Sequence, residues 1–239
     1  MILRSFSFSN QGGRDENQDS ALRYEEAAEG IYAVADGLGG HKGGAAASTC
    51  VVGCLMDGWE AGRGGDMKEW LRRRIGEANE AVLDMQQRSH SSMKSTVVAL
   101  TVRDKQAVWA HTGDSRLYHL RGGRIEHITE DHSVAYKKYK SGEISRADIG
   151  KDEDQSSLLK ALGNPSRWEP DVDGCALLPG DAFLLCSDGI WEYVTDEEIL
   201  ADRLKSDDPK TWAELILLRV IARIPPRCDN LTLVAVMAD

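Results

Sequence analysis

Three short apolar runs in this chain stop at, or start from, an acidic side chain: Ala33-Val34-Ala35-Asp36-Gly37, Leu185-Cys186-Ser187-Asp188-Gly189 and Asp229-Asn230-Leu231. Apolar runs of this length bounded by turn residues suit buried strands. A single Asp-Gly pair is a turn signal, but three acids at three strand ends are hard to explain by turns alone. Hard cations such as Mg²⁺ and Mn²⁺ prefer about six oxygen ligands. A pair of them needs several carboxylates, carbonyls and waters brought together by the fold, and strand ends meeting at one edge would do that. The glycine after the first acid, Gly37, lacks a Cβ and lets a backbone carbonyl approach a metal.

A fourth acid comes with a cation in the loop Arg14-Asp15-Glu16-Asn17-Gln18-Asp19. The planar guanidinium fork holds two phosphate oxygens at once, so Arg14 is the phosphate-binding candidate and Asp19 a contributor to the metal shell.

Around these residues the sequence alternates strand and helix patterns. Phe6 and Phe8 alternate with Ser5, Ser7 and Ser9 as in a two-faced strand, a polar loop covers 10–19, and 30–35 reads as a strand. Beyond a glycine-rich loop at 37–44, residues 45–59 read as a helix. Asp66 is placed to cap a second, whose Leu71, Ile75, Ala78, Val82 and Met85 form one stripe. Strands are expected at 95–102, 106–112, 116–120 and 124–128, the last two joined by a Gly122-Gly123 hairpin turn. Leu178-Pro179-Gly180-Asp181 has the order of a type II turn and leads into a strand at 182–186. Helices at 195–205 and 209–224 precede a last strand at 231–236. The polar stretch 130–155 lacks a strand pattern and reads as a mobile insertion with short helical pieces.

Composition narrows the function classes. A chain of 239 residues with 41% hydrophobic content is long enough for one domain with a sizeable core, and we read 1–239 as a single catalytic domain with a flap at 130–157. The formal charge of -10 disfavours nucleic acid as a partner. No apolar run reaches the length of a membrane span, so the expected location is the cytoplasm, without a membrane partner. The five cysteines (Cys50, Cys54, Cys175, Cys186, Cys228) are odd in number and lack CxxC spacing, which argues against a disulfide framework or a zinc clamp and for buried thiols. None has an arginine six positions on, so a cysteine-nucleophile phosphate loop is not available.

In order along the chain, R-x-x-N-Q-D at Arg14 to Asp19, D-G-L-G-G-H at Asp36 to His41, G-D-S-R at Gly113 to Arg116, S-D-G-I-W-E at Ser187 to Glu192 and D-N at Asp229-Asn230 resemble the type 2C metal-dependent protein serine/threonine phosphatases. The form of the second motif is most similar to the bacterial branch. The resemblance spans residues 8–236. It implies an α+β fold, a four-layer α/β/β/α sandwich of two central antiparallel sheets flanked by helices, with two Mn²⁺ or Mg²⁺ ions at one end. By motif, Asp36 would bridge both ions, Gly37 would offer its carbonyl, Asp188 and Asp229 would hold one ion, and Asp19 would act through water. Arg14 would grip the phosphate and, with Asp36, form the catalytic pair. Asp114 matches a ligand of a weaker third metal, whose usual Asp is replaced here by Glu192. Many animal members carry a general-acid His directly after the D-G pair; this chain has Leu38 there and His41 three positions later, so His41 is not assigned that role.

The implied reaction is hydrolysis of phosphoserine and phosphothreonine on proteins by a water shared between two metals about 3.5–4 Å apart, its pKa lowered toward ~7. The resemblance further implies a phosphoprotein substrate, an opposing bacterial eukaryotic-like Ser/Thr kinase and a monomer. Two other readings compete. The same fold could be a non-catalytic phosphoprotein-binding regulatory module, although the four acids and Arg14 are all present. Asp171-Val172-Asp173 imitates the D-x-D nucleophile of aspartyl-phosphate hydrolases, but Glu169-Pro170 precede it rather than an apolar strand.

Overall fold

Strands that are apolar on both faces need cover on both sides, and that requirement sets the layer order of this chain. The structure is a computed structural model, described for residues 1–39, 43–61 and 65–239; His41 lies outside the described residues. In chain order the elements are β1 (Leu3–Asn10), β2 (Asp19–Glu26), β3 (Glu29–Leu38), α1 (Gly43–Ala61), α2 (Met67–Ser89), β4 (Lys94–Ser95), β5 (Val97–Arg103), β6 (Gln106–Thr112), β7 (Arg116–Arg121) and β8 (Arg124–Ile128). They continue with α3 (Val134–Ser141), a 3-10 turn (Arg146–Lys151), β9 (Asp171–Ala176), β10 (Ala182–Cys186), α4 (Asp188–Trp191), α5 (Asp196–Leu204), α6 (Pro209–Ile221) and β11 (Leu231–Ala238).

The strands form two antiparallel sheets, one ordered β1-β11-β10-β7-β8 and the other β2-β3-β5-β6-β9 with β4 beside β3. Period-2 alternation divides β3 between two cores. Ile31, Ala33 and Ala35 face α1 and α2, packing with Val51, Leu55, Leu71 and Ile75. Tyr32 and Val34 face the other sheet and meet Leu100, Trp109, Phe183, Leu185 and Val234. A third core joins Leu184, Leu233 and Ala235 to Ile199, Trp212 and Ile216 of α5 and α6. Each buried Val, Leu, Ile or Phe among them contributes about 1.5–3 kcal/mol by leaving water. This is the expected four-layer α+β sandwich.

Local signals act where they were expected. Asp66 caps α2 by accepting from Glu69 N at 2.9 Å, and Asp181 N closes the type II turn onto Leu178 O at 3.1 Å, with Gly180 at φ 89°. Two strands were not anticipated. β2 and β9 are edge strands whose side chains are only partly covered, so their apolar alternation is diluted by Arg23, Glu25, Asp171 and Asp173. The cysteines are all free, but only Cys186 and Cys228 are buried; Cys50, Cys54 and Cys175 are half-exposed, correcting the expectation of uniformly buried thiols. Within 130–157, Tyr136 and Ile149 are buried against the β7–β10–β11 side of the molecule, and Lys138 bridges Asp152 and Asp154 at 2.8 Å each.

Candidate functional site

Asp36, near the end of β3, lies directly opposite Asp19, the first residue of β2, in the antiparallel register. Asp188 follows β10 and opens α4 after the N-cap Ser187. Asp229 precedes β11, and Asp114 lies in the tight connection between β6 and β7. All five belong to the same end of the two sheets. There a cleft of about 800 Å³ is lined by Arg14, Asp36, Gly37, Asp114, Asp188, Glu192 and Asp229. Asp19 is set behind the wall, where Ser187 Oγ donates to its Oδ2 at 2.8 Å.

A network of backbone and hydroxyl bonds holds this arrangement. Asp36 N donates to Thr96 Oγ1 at 2.9 Å, Thr96 N donates to Asp36 O at 2.8 Å, and Thr96 in turn meets Ser115 at 2.7 Å. Gly37 is required by crowding: a Cβ there would overlap the Gly44 carbonyl oxygen and lie 2.6 Å from Gln18 O. Its need for glycine therefore comes first from the close approach of α1 and the 11–18 loop, a reason the sequence reading did not supply.

The electrostatics are one-sided. Burial, then the charges of Asp188 and Asp19, hold the Asp36 carboxyl well above the usual range. Burial, with Asp229 and Asp19 nearby, pushes Asp188 up to about 7. Burial raises Asp19 to about 6 despite its hydroxyl partners. Asp114 is likewise pushed up, by burial and then by Asp188. Glu192 is raised to about 8 by burial and by Asp188 and Asp229. Among the described residues, none of Asp19, Asp36, Asp114 and Asp188 forms an ion pair with Lys or Arg. Buried carboxylates gathered with no Lys or Arg paired to them among the described residues fit hard divalent cations, which take oxygen donors.

Arg14 reaches the same cleft and makes a two-pronged pair with Asp229, Nε to Oδ1 at 3.2 Å and Nη2 to Oδ2 at 2.7 Å. Two side chains in this network were not singled out from the sequence. Gln155 Nε2 donates to Asp188 Oδ2 at 3.4 Å and also to Glu192. Asn230 accepts from Gln18 N at 2.8 Å and donates to Gln11 O at 2.9 Å and Glu16 O at 3.0 Å, so it staples the loop that carries Arg14. Its position beside Asp229 was the one available signal. Nothing in the local sequence marks Gln155.

Other donor clusters are built differently. His132 Nδ1 accepts from Gly113 N at 3.2 Å, which puts the neutral ring's proton on Nε2, facing Asp171 Oδ2 at 3.4 Å beside His111. Asp181, near His119 and Cys175, is already forked by Arg121 at 2.6 and 2.7 Å. Asp171, the competing nucleophile, opens the edge strand β9, is largely exposed and is paired with Lys160 at 2.8 Å. It is not in the cleft, and the aspartyl-phosphate reading falls with it.

The family sequence model of protein phosphatase 2C matches residues 9–214. The chain belongs to the protein phosphatase 2C family. Serine/threonine phosphatase stp of Listeria welshimeri is 34% identical over 203 residues, covering 82% of this chain and 77% of its own. The structure of the Mycobacterium tuberculosis serine/threonine phosphatase PstP/Ppp superposes with a TM-score of 0.88 at 29% identity, covering 100% of both chains. A structure of the PstP catalytic domain in complex with two manganese ions gives a TM-score of 0.86 at 28% identity, covering 100% of this chain and 99% of that one. Membership accounts for the sandwich. Among the described residues, no helix is long and apolar enough to cross a membrane.

Proposed function

We propose that this chain is a metal-dependent protein serine/threonine phosphatase that hydrolyses phosphoserine and phosphothreonine esters in the acidic cleft. The observation that carries the reading is the convergence of Asp19, Asp36, Asp114 and Asp188 without a basic partner among the described residues. Asp36, Asp188, Asp229 and the Gly37 carbonyl would hold two Mn²⁺ or Mg²⁺ ions, with Asp19 acting through water; Asp114 and Glu192 would serve a third. Bound there, the ions supply Lewis acidity that lowers the pKa of water and offsets charge on phosphoryl oxygens.

The chain's own groups bind and orient. Arg14 turns its fork from Asp229 to two phosphoryl oxygens, a bidentate match that fixes the phosphorus. Ser187 and Thr96 hold Asp19 and Asp36 in place. Residues 130–157 act as a flap, within a single catalytic domain, because Gln155 and Ser156 of that segment line the cleft. The reading extends to a cytoplasmic monomer that acts on phosphoproteins opposite a bacterial Ser/Thr kinase; its acidity fits the absence of nucleic-acid partners.

The test is phosphate release from a phosphothreonine peptide and an aryl phosphate, with Mn²⁺ or EDTA, alongside calorimetric Mn²⁺ binding. Turnover that needs Mn²⁺ and vanishes in Asp36→Asn supports the proposal. Mn²⁺ binding with no turnover would leave a phosphoprotein-binding module instead.

A further inference from the structure

A second cleft of about 430 Å³ adjoins the catalytic one, and Glu192 and Tyr193 belong to the walls of both. Its other walls are the 3-10 turn Arg146–Lys151 and the start of α5, with Arg116 stacked 3.6 Å over the Trp191 ring. Two of its four cations are committed elsewhere, Arg116 to Asp131 at 2.8 and 2.7 Å and Arg223 to Glu198. The others have donors to spare. Arg146 gives Nε to Asp196 at 2.6 Å, but its Nη2 is buried with no acceptor. Lys151 is exposed and meets no carboxylate among the described residues.

The helix end adds further donors. Thr195 caps α5 by accepting from Glu198 N, and the N–H groups of Asp196 and Glu197 precede the first intrahelical bond. Against these donors stand Asp196, held by Arg146, Glu192, held by Gln155, and the exposed Glu197, which has no basic partner among the described residues.

We infer that the second cleft takes an acidic side chain of the polypeptide substrate, a few residues from the phosphorylated one, so that phosphosites with acidic flanks are preferred. The inference rests on the hydrolase reading above. An extended polypeptide advances about 3.3 Å per residue, and one leaving the catalytic cleft past Tyr193 enters the second cleft directly. A small aryl phosphate occupies only the first.

The test uses the full chain with Mn²⁺ and phosphothreonine peptides in a neutral background, carrying one Glu, Ala or Lys at each successive position on either side. Each kcat/KM is divided by that for an aryl phosphate, the internal reference. In the unaltered protein, Glu at one or two positions is expected to raise the ratio about 5-fold over Ala. Lys151→Ala should remove most of that preference, and Lys151→Glu should turn it toward Lys peptides; Lys151 is exposed, so neither change threatens the fold. Arg146→Gln should weaken it as well. Equal ratios for Glu and Ala peptides, or a Glu preference that survives Lys151→Glu, would overturn the inference while leaving the phosphatase reading intact. Failure to hydrolyse even the aryl phosphate would instead sink that reading.

Discussion

Asp131, Asp181 and Asp202 are as deeply buried as Asp19 and Asp114, yet their surroundings treat them in opposite ways. Asp131 is forked by Arg116 at 2.8 and 2.7 Å, Asp181 by Arg121 at 2.6 and 2.7 Å, and Asp202 by Arg219 at 2.6 and 2.8 Å. Arg121 and His119 hold the Asp181 carboxyl below its usual range even though burial works against them. In the cleft, Asp19, Asp36, Asp114 and Asp188 have no Lys or Arg in ion-pair contact among the described residues, and burial together with one another's charge moves their pKa values up. Among the described residues the fold neutralises a buried acid with arginine at Asp131, Asp181 and Asp202, whereas Asp19, Asp36, Asp114 and Asp188 in the cleft have no such partner. A site that leaves negative charge unanswered is less stable alone and is completed by cations.

The contrast is broken most severely by one change made on each side. Asp36→Asn should lower Mn²⁺-dependent turnover by about 10³-fold, the scale of losing several kcal/mol of charge stabilisation, while raising the melting temperature of the EDTA-treated protein because folding no longer has to bury and protonate an acid beside Asp188 and Asp19. Asp131→Asn should do the reverse, costing about 3–5 kcal/mol because Arg116 is left buried and half-paired. That corresponds to a fall in melting temperature of roughly 10 °C for a chain of this size. If both asparagines shift stability in the same direction in EDTA, the contrast between the two groups is wrong.

Asn230→Ala should cost about 1–3 kcal/mol, since it strips three half-buried bonds from the 11–18 loop. A raised KM for phosphopeptide, larger than any change in Mn²⁺ affinity, would place its effect on Arg14; an unchanged KM would deny the stapling role.

The smallest effect is on pH dependence. Asp19 at about 6, Asp188 at about 7 and Glu192 at about 8 all lie above their unfolded values near 4. A group raised on folding contributes stability that is present below its unfolded pKa and lost as pH rises through its folded one. His132, lowered to about 4 by burial and His111, has the other sign: its contribution is present above about 6.5 and is lost as pH falls toward 4. Between pH 6.5 and 8 the His132 contribution is constant, and the carboxylates act against the Cys50 thiol, which the hydrogen bond with Cys54 lowers to about 7. The melting temperature in EDTA should fall by a few degrees across that window, and saturating Mn²⁺ should flatten the slope. A slope that Mn²⁺ does not change would mean that the titrating acids are not those that meet the metal.

Much of this protein was legible from residues close in sequence. The acids at the ends of apolar runs, the Asp66 cap, the Gly122-Gly123 hairpin and the Gly180 turn are local, because capping, turn chemistry and strand burial act over a few residues. The edge strands β2 and β9 escaped because half-covered strands need not alternate cleanly. Tertiary structure alone decided that Asn230 staples residues more than 200 positions away, that Gln155 bridges Asp188 and Glu192, and that Arg116 answers Asp131 while no arginine among the described residues pairs with Asp36. Whether a buried charge is met depends on which distant side chains the packing brings within about 3 Å, and no local pattern encodes that distance.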